Sequence, residues 1–189
     1  MKTIDTRRKI LEGAYNCFSR REYHEVKIAD VALTAGVGKG TVYEYFASKQ
    51  ELYGELFHFM GDVYVEAIEE AIRQGGPVSD TLERLYLTHA GFHQKLMQSD
   101  HGVLLLEEMM SGRRHQDLYP LHERIRGLMT QIVRQGVGDG LFAPELDERM
   151  ASLFLMTGLP CIVYGDQLEN TQDNVRTMVS LALNGLIRR

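Results

Sequence analysis

The chain has 189 residues, 44% hydrophobic and 25% charged, with a formal net charge of −5. That is enough apolar material for one good core or for a small head on a larger body, and the net acidity argues against a general nucleic-acid coat. Only 4 prolines occur, and β-branched residues are thinly spread among many Leu, Met, Ala, Glu and Arg, a balance that favours an all-α fold over a sheet.

Residues 1–9 are polar and basic with no apolar run behind them, so no secretory leader is predicted. Helical periodicity begins at Ile10, places Ile10, Leu11, Ala14, Cys17 and Phe18 on one stripe, and stops near residues 20–24. A short second helix over 28–35 is expected to bury Ile28, Val31, Ala32 and Ala35, and Gly36 supplies the sharp turn after it. A third helix, from about residue 39 to 46, sets Val42 and Phe46 on one face and leaves Thr41 and Glu44 roughly opposite. Ser48 and Glu51 form an S-x-x-E capping box that opens a fourth helix near Lys49. Its stripe of Leu52, Leu56, Phe59, Val63 and Ala67 runs to Gln74, where Gly75, Gly76 and Pro77 make the clearest linker in the chain.

Further helices are predicted over about 79–98, 101–112, 118–137, 144–164 and 173–187, with breakers at Gly112, Gly136 to Gly140 and Gly165, for about nine in all. The most apolar stretch, 150–164, is too short to span a bilayer and holds Gly158 and Pro160. No membrane segment is expected. Cys17 and Cys161 lie far apart and belong to no CxxC or Cys/His ligand cluster, which fits a reducing cytoplasm and argues against a disulfide framework or zinc site.

Charge is uneven along this plan. Residues 1–49 carry nine Lys/Arg against six Asp/Glu, which leaves twelve against twenty for residues 50–189, a basic head on an acidic body. The second helix, the turn at Gly36 and the third helix have the layout of a helix-turn-helix, in which Val31, Ala35, Val37 and Val42 lock two short helices and Ala32 is small where they cross. Any short αα-hairpin shares that periodicity, so the residues themselves matter more.

The run Arg7, Ile10, Leu11, Ala14, Phe18 and Tyr23, then Asp30-Val31-Ala32 and Ala35-Gly36-Val37, then Lys39-Gly40-Thr41-Val42-Tyr43, Tyr45-Phe46, Ser48-Lys49 and Leu52 resembles the N-terminal head of the TetR family. That head runs R-x-x-I-L-x-A-A-x-x-x-F, a tyrosine, D-[IV]-A-x-x-A-G-V, then K-G-T-[LV]-Y-x-Y-F-x-S-K-x-x-L. The likeness covers residues 7–52, about a quarter of the chain. It implies a helix-turn-helix DNA-binding domain over 1–48 and a ligand-binding and dimerisation domain over 49–189. The protein it implies is a homodimeric repressor that holds double-stranded, palindromic operator DNA and leaves it when a small-molecule effector binds.

Carried over residue by residue, the resemblance implies that Lys39, Gly40, Thr41 and Tyr43 face bases or the groove floor, while Tyr45 and Lys49 hold phosphates and Lys27 joins them at the start of the second helix. The chemistry agrees: lysine donates to guanine O6 and N7, threonine and tyrosine offer apolar surface to a thymine methyl, and Gly40 lets the backbone approach. Tyr43 has a second reading as cover for the hinge to the fourth helix, and Glu44 is read as solvated. Three departures stand out. Gly13 replaces a usual alanine, at a cost to the first helix of up to about 1 kcal/mol. Lys27 and Gly38 stand where Ser or Thr commonly caps the second and third helices, so both caps are expected to be weak.

In the body, 150–164 is apolar almost all round and 173–187 carries more apolar face than one core needs. The resemblance implies that these two helices pair with their symmetry mates through Leu153, Met156, Val179, Leu183, Leu186 and Ile187; the alternative is an internal core in a monomer. Phe59, Met60, Phe92, Met109, Tyr119 and Met156 form an adaptable apolar set suited to an apolar or aromatic effector, and His89 and His93, four apart, are its polar anchors. No carboxylate or cysteine joins the two histidines at metal-ligand spacing. There is no nucleophile elbow, metalloprotease motif or phosphate loop, hence no enzyme and no cofactor is expected. The alternatives are a helical ligand carrier or small enzyme that retains a helix-turn-helix head, and a structural DNA binder without operator preference.

Overall fold

A computed structural model describes residues 2–102, 105, 115–163 and 171–186. Those residues form eight α-helices: α1 Lys2–Phe18, α2 Ile28–Ala35, α3 Lys39–Tyr45, α4 Lys49–Arg73, α5 Val78–Met97, α6 His115–Gly138, α7 Glu148–Val163 and α8 Thr171–Leu186. The all-α expectation holds. The helix expected over 101–112 falls mostly outside the described residues.

The apolar stripe of α1 is buried as its spacing requires, Ile10, Leu11, Ala14, Cys17 and Phe18 all being 4% exposed or less. The helix starts earlier than that stripe, because ion pairs between Lys9 and Asp5 (2.9 Å) and between Arg8 and Glu12 (3.2 Å) support a polar first half. Gly13 has a packing role that helix propensity does not convey. A Cβ there would lie 3.0 Å from the backbone nitrogen of Ala35 and 3.1 Å from the carbonyl of Val31, so α1 and α2 touch backbone to backbone.

α2 ends at Gly36, whose φ of 67° is the left-handed conformation glycine adopts without steric cost. The N–H of Val37 then closes on the carbonyl of Ala32 at 2.9 Å, aiming the chain into α3. The start of α2 is capped after all. Lys27 offers no side-chain acceptor, but the Asp30 carboxylate accepts from the Lys27 backbone N–H at 3.2 Å. At α4 the expected box forms in altered register: Ser48 Oγ accepts from the Glu51 N–H at 3.0 Å, and the Glu51 carboxylate reaches the N–H of Ala47 at 2.7 Å.

The chain divides into two compact units, residues 1–63 with 95–118, and residues 64–94 with 119–189. In the first, the α1 stripe joins Val31, Ala32, Val42, Phe46, Leu52 and Leu56 in one core. In the second, α5 supplies Leu82, Leu85 and Tyr86 to a core completed by Met129, Ile132, Val133, Leu155 and Val175. Tyr86 is fully buried and donates to the carbonyl of Leu155 at 2.9 Å. Arg84 closes the C-terminal end of α4, donating to the carbonyls of Ala71 and Gly75. Among the described residues no helix is long and apolar enough to cross a membrane.

Candidate functional site

In the first unit, α3 is anchored through Val42, which is fully buried, and through Phe46 just beyond its end. With that side pinned, Lys39 and Gly40 are exposed, Thr41 and Tyr45 half-buried, and the Tyr43 ring 48% exposed. The Lys39 ammonium lies 5.9 Å from the centroid of the Tyr43 ring, so the two share one side of the helix. Glu44 is exposed, in keeping with a solvated carboxylate.

The cations of this head fall into two sets. Arg7 pairs with Glu55, Arg8 with Glu12, Lys9 with Asp5 and Arg21 with Asp30. The backbone N–H of Lys27 and the guanidinium of Arg21 together hold the Asp30 carboxyl below its usual range. Arg20, Lys27, Lys39 and Lys49 make no ion pair among the described residues, and the three lysines are those expected at DNA. An unpaired cation can exchange its solution counterion for a phosphate, whereas a paired one must first give up its carboxylate. Sequence reasoning passed over Leu33, which stands 83% exposed on α2.

In the second unit, His89 on α5 meets Tyr64 on α4. The Tyr64 hydroxyl and His89 Nδ1 are 2.9 Å apart, with the rings edge to face at 5.7 Å, and Phe92 lies 5.0 Å from Tyr64. Burial keeps the Tyr64 hydroxyl protonated far above the usual tyrosine range. It also pushes His89 down to about 4, the neighbouring His93 adding to the effect and the Leu159 backbone opposing it. Burial lowers His93 as well. With the tyrosine proton donated to Nδ1, the neutral His89 ring carries its own proton on Nε2. That Nε2 and His93 Nδ1 are both buried and make no hydrogen bond of ordinary length and angle among the described residues, a deficit that a ligand polar group or a water could relieve. Tyr64 was missed at the sequence level, although its place four residues after Met60 is a helical-face signal.

The other expected effector residues are more dispersed. Met156 is partly buried against the core of the second unit. Met60 is buried and Phe59 half-buried in the first unit, the latter under the Arg8 guanidinium at 5.9 Å. Tyr119 is 65% exposed, and Met109 lies outside the described residues. Among the described residues no group of three potential ligands could hold a metal ion.

α7 and α8 pack on one another, the Phe154 ring running along Gly185. Their outward apolar groups are Met150 (61% exposed), Leu153 (37%), Phe154 (46%) and Leu181 (58%). Of the residues expected at a dimer contact, Leu153 belongs to this face. Val179 instead sits at 7% exposure inside its own protomer's core, and Met156 and Leu183 pack partly against that core. The reason is rotational: Val175, Val179 and Ala182 form the inward stripe of α8, and Leu181 stands off it. Val179 and Leu183 also border a groove of about 300 Å³ with Ser79, Glu83 and Arg176. The Leu186 side chain and Ile187 lie outside the described residues.

Residues 10–56 match the family model described as bacterial regulatory proteins, tetR family. The chain is 34% identical over 188 residues to the HTH-type transcriptional regulator YdgC of Bacillus subtilis, covering 84% of this chain and 95% of that one. It is 33% identical over 161 residues to the regulator YhgD of the same organism, covering 81% and 80%. Its fold is similar to that of the transcriptional regulator FadR from Bacillus subtilis in complex with stearoyl-CoA, at a TM-score of 0.68 and 20% identity over 94% of this chain and 98% of that one.

Proposed function

The chain belongs to the TetR family of bacterial transcriptional regulators, and from that membership we propose that it holds a palindromic operator as a cytoplasmic homodimer and leaves it when an apolar or aromatic effector with a polar group binds. It is a DNA-binding, ligand-responsive regulator. The division into a DNA-binding domain over 1–48 and an effector and dimer domain over 49–189 belongs to the same proposal.

The observation that carries the DNA reading is the presentation of α3. Its inner face is fixed by Val42, its outer face offers Lys39, Gly40, Thr41 and Tyr43, and the flanking lysines 27 and 49 make no ion pair among the described residues. In this reading the base-reading groups of α3 are flanked in sequence by phosphate-binding ones, with Tyr45 among the latter. In a mobility-shift titration, Lys49→Ala is expected to weaken all sequences about equally and to lower the salt slope by about 1 per bound head, whereas Lys39→Ala and Thr41→Ala also relax preference at particular bases. Parent-like binding by all three variants would remove α3 as the reader.

For the effector, support comes from His93 Nδ1, buried and without a hydrogen bond among the described residues, and from His89, whose Nε2 has only the Leu159 backbone near it, beside Tyr64 and Phe92. The imidazoles are neutral at pH 7, so they suit a carbonyl or hydroxyl on an apolar body better than a bare carboxylate. The stearoyl-CoA held by a fold neighbour makes that thioester a reasonable first probe. Binding must be coupled to DNA reciprocally. Calorimetry with and without operator is expected to show weaker binding of the probe to the DNA complex; equal affinities eliminate that probe as inducer. His89→Phe is expected to reduce the response while leaving operator affinity close to the parent's.

A further inference from the structure

Lys49 occupies an electrostatically awkward place. It is the first residue of α4, where the helix dipole disfavours a cation. The carboxylate of that turn, Glu51, is engaged with the Ala47 N–H, and Lys49 makes no ion pair among the described residues. What its ammonium does meet is the face of the Tyr23 ring, 4.3 Å from the centroid, well inside cation–π range.

The ring itself is braced from below. Tyr23 stacks on Phe18 at 6.0 Å and 12° and tilts against Tyr53 at 4.8 Å. Tyr53 packs edge to face on Phe18 (4.8 Å) and on Phe57 (5.0 Å). Phe18 and Phe57 are buried at 2% and 5% exposure, whereas Tyr23 remains 40% exposed in the turn between α1 and α2. A rigid aromatic base therefore ends in one accessible ring, and a lysine is drawn over it.

We infer that Tyr23 is a positioning residue for DNA binding: its ring holds the Lys49 ammonium in place before the duplex arrives. This inference rests on the reading of Lys49 as a phosphate contact. An ammonium has three donors in a tripod, so one side can rest on the ring while the others meet phosphate oxygens. Because lysine is among the side chains richest in rotamer freedom, fixing it beforehand lowers the entropy lost on binding. The tyrosine hydroxyl has no part in this, so phenylalanine should serve as well.

The test uses the full chain and a short random-sequence duplex at low salt, since a phosphate contact is independent of base sequence. Fluorescence anisotropy is expected to show Lys49→Ala weakening binding and lowering the salt slope by about 1 per bound head. Tyr23→Leu should cost about 3- to 10-fold with a slope close to the parent's, because the lysine still reaches the phosphate from a looser start, and Tyr23→Phe should restore the affinity. In the Lys49→Ala background, Tyr23→Leu should cost less than about 2-fold more, because the partner it positions is gone. An equal loss in both backgrounds means that Tyr23 only supports the fold and overturns the inference. So does a Tyr23→Leu protein that binds like the parent while Lys49→Ala is weakened. If Lys49→Ala itself binds like the parent, the phosphate reading falls first and the inference with it. NMR of the unaltered protein gives a readout that needs no variant: the ring current should move the Lys49 ε-methylene protons upfield, and ordinary shifts there overturn the proposal.

Discussion

His89 is held uncharged inside the second unit, pushed down to about 4 chiefly by burial. In the unfolded chain an ordinary imidazole titrates near 6.5. Between those values the unfolded state takes up a proton that the folded state refuses, so stability is retained in full above pH 6.5 and is lost as pH falls towards 4. For one group the slope is about 1.4 kcal/mol per pH unit at most, and His93 is lowered in the same direction. Urea unfolding is expected to show a clearly lower midpoint at pH 5 than at pH 7, and His89→Phe should flatten that difference. An unchanged pH dependence in the variant would mean that His89 is charged or solvated in the native state. The pairing of His89 with Tyr64 was not legible from sequence, because 25 residues separate the two and periodicity speaks only within one helix.

α7 shows how a helix can be shaped by what lies against it. Gly158 lies within this helix, where alanine would raise helix propensity by about 1 kcal/mol. A Cβ at that position, however, would come 2.7 Å from the Tyr86 hydroxyl and 3.2 Å from Met178 Cε. Tyr86 is fully buried and hydrogen-bonded to Leu155 in the same helix, so it has little room to retreat. Overpacking of this kind costs about 1–3 kcal/mol. Gly158→Ala is therefore expected to destabilise the protein by about 1 kcal/mol or more despite the better propensity, as read from chemical denaturation. A stabilised variant would show that Tyr86 moves freely. The same contrast holds for α2, where an unpromising Lys27 cap is replaced by Asp30 three residues on, and for α4, whose C-terminal end is closed by Arg84 from the next helix.

For the whole molecule, the exposed apolar face of α7 and α8 is the feature a homodimer would cover. Met150, Phe154 and Leu181 are large groups left largely in water by the single chain, and a two-fold partner would bury the same patch from both sides. Phe154→Arg or Leu181→Arg is expected to give a folded monomer in sedimentation velocity, with operator affinity sharply reduced because one head alone meets one half-site. Val179→Arg is expected to behave differently. It places an unpaired charge in the protomer's own core, at a cost of several kcal/mol, and should unfold the body. If Phe154→Arg stays dimeric while Val179→Arg yields a folded monomer, the assignment of faces on these two helices is reversed.

The sequence by itself determined the helical class through composition and periodicity along the chain, the helix-turn-helix through the resemblance of residues 7–52 to a known head, and the side of α3 that faces outward through local spacing. It also singled out Lys27, Lys39 and Lys49, which make no ion pair among the described residues. Tertiary structure decided the rest. Which stripe of α8 turns inward depends on the helices packed against it, so Val179 went to the core and Leu181 to the surface. Gly13, a liability in an isolated helix, became the point where α2 touches α1. The Tyr64 contact of His89 and the Tyr23 platform under Lys49 join residues about 25 positions apart. Such contacts are set by how helices and turns come together, which no local pattern of side chains specifies.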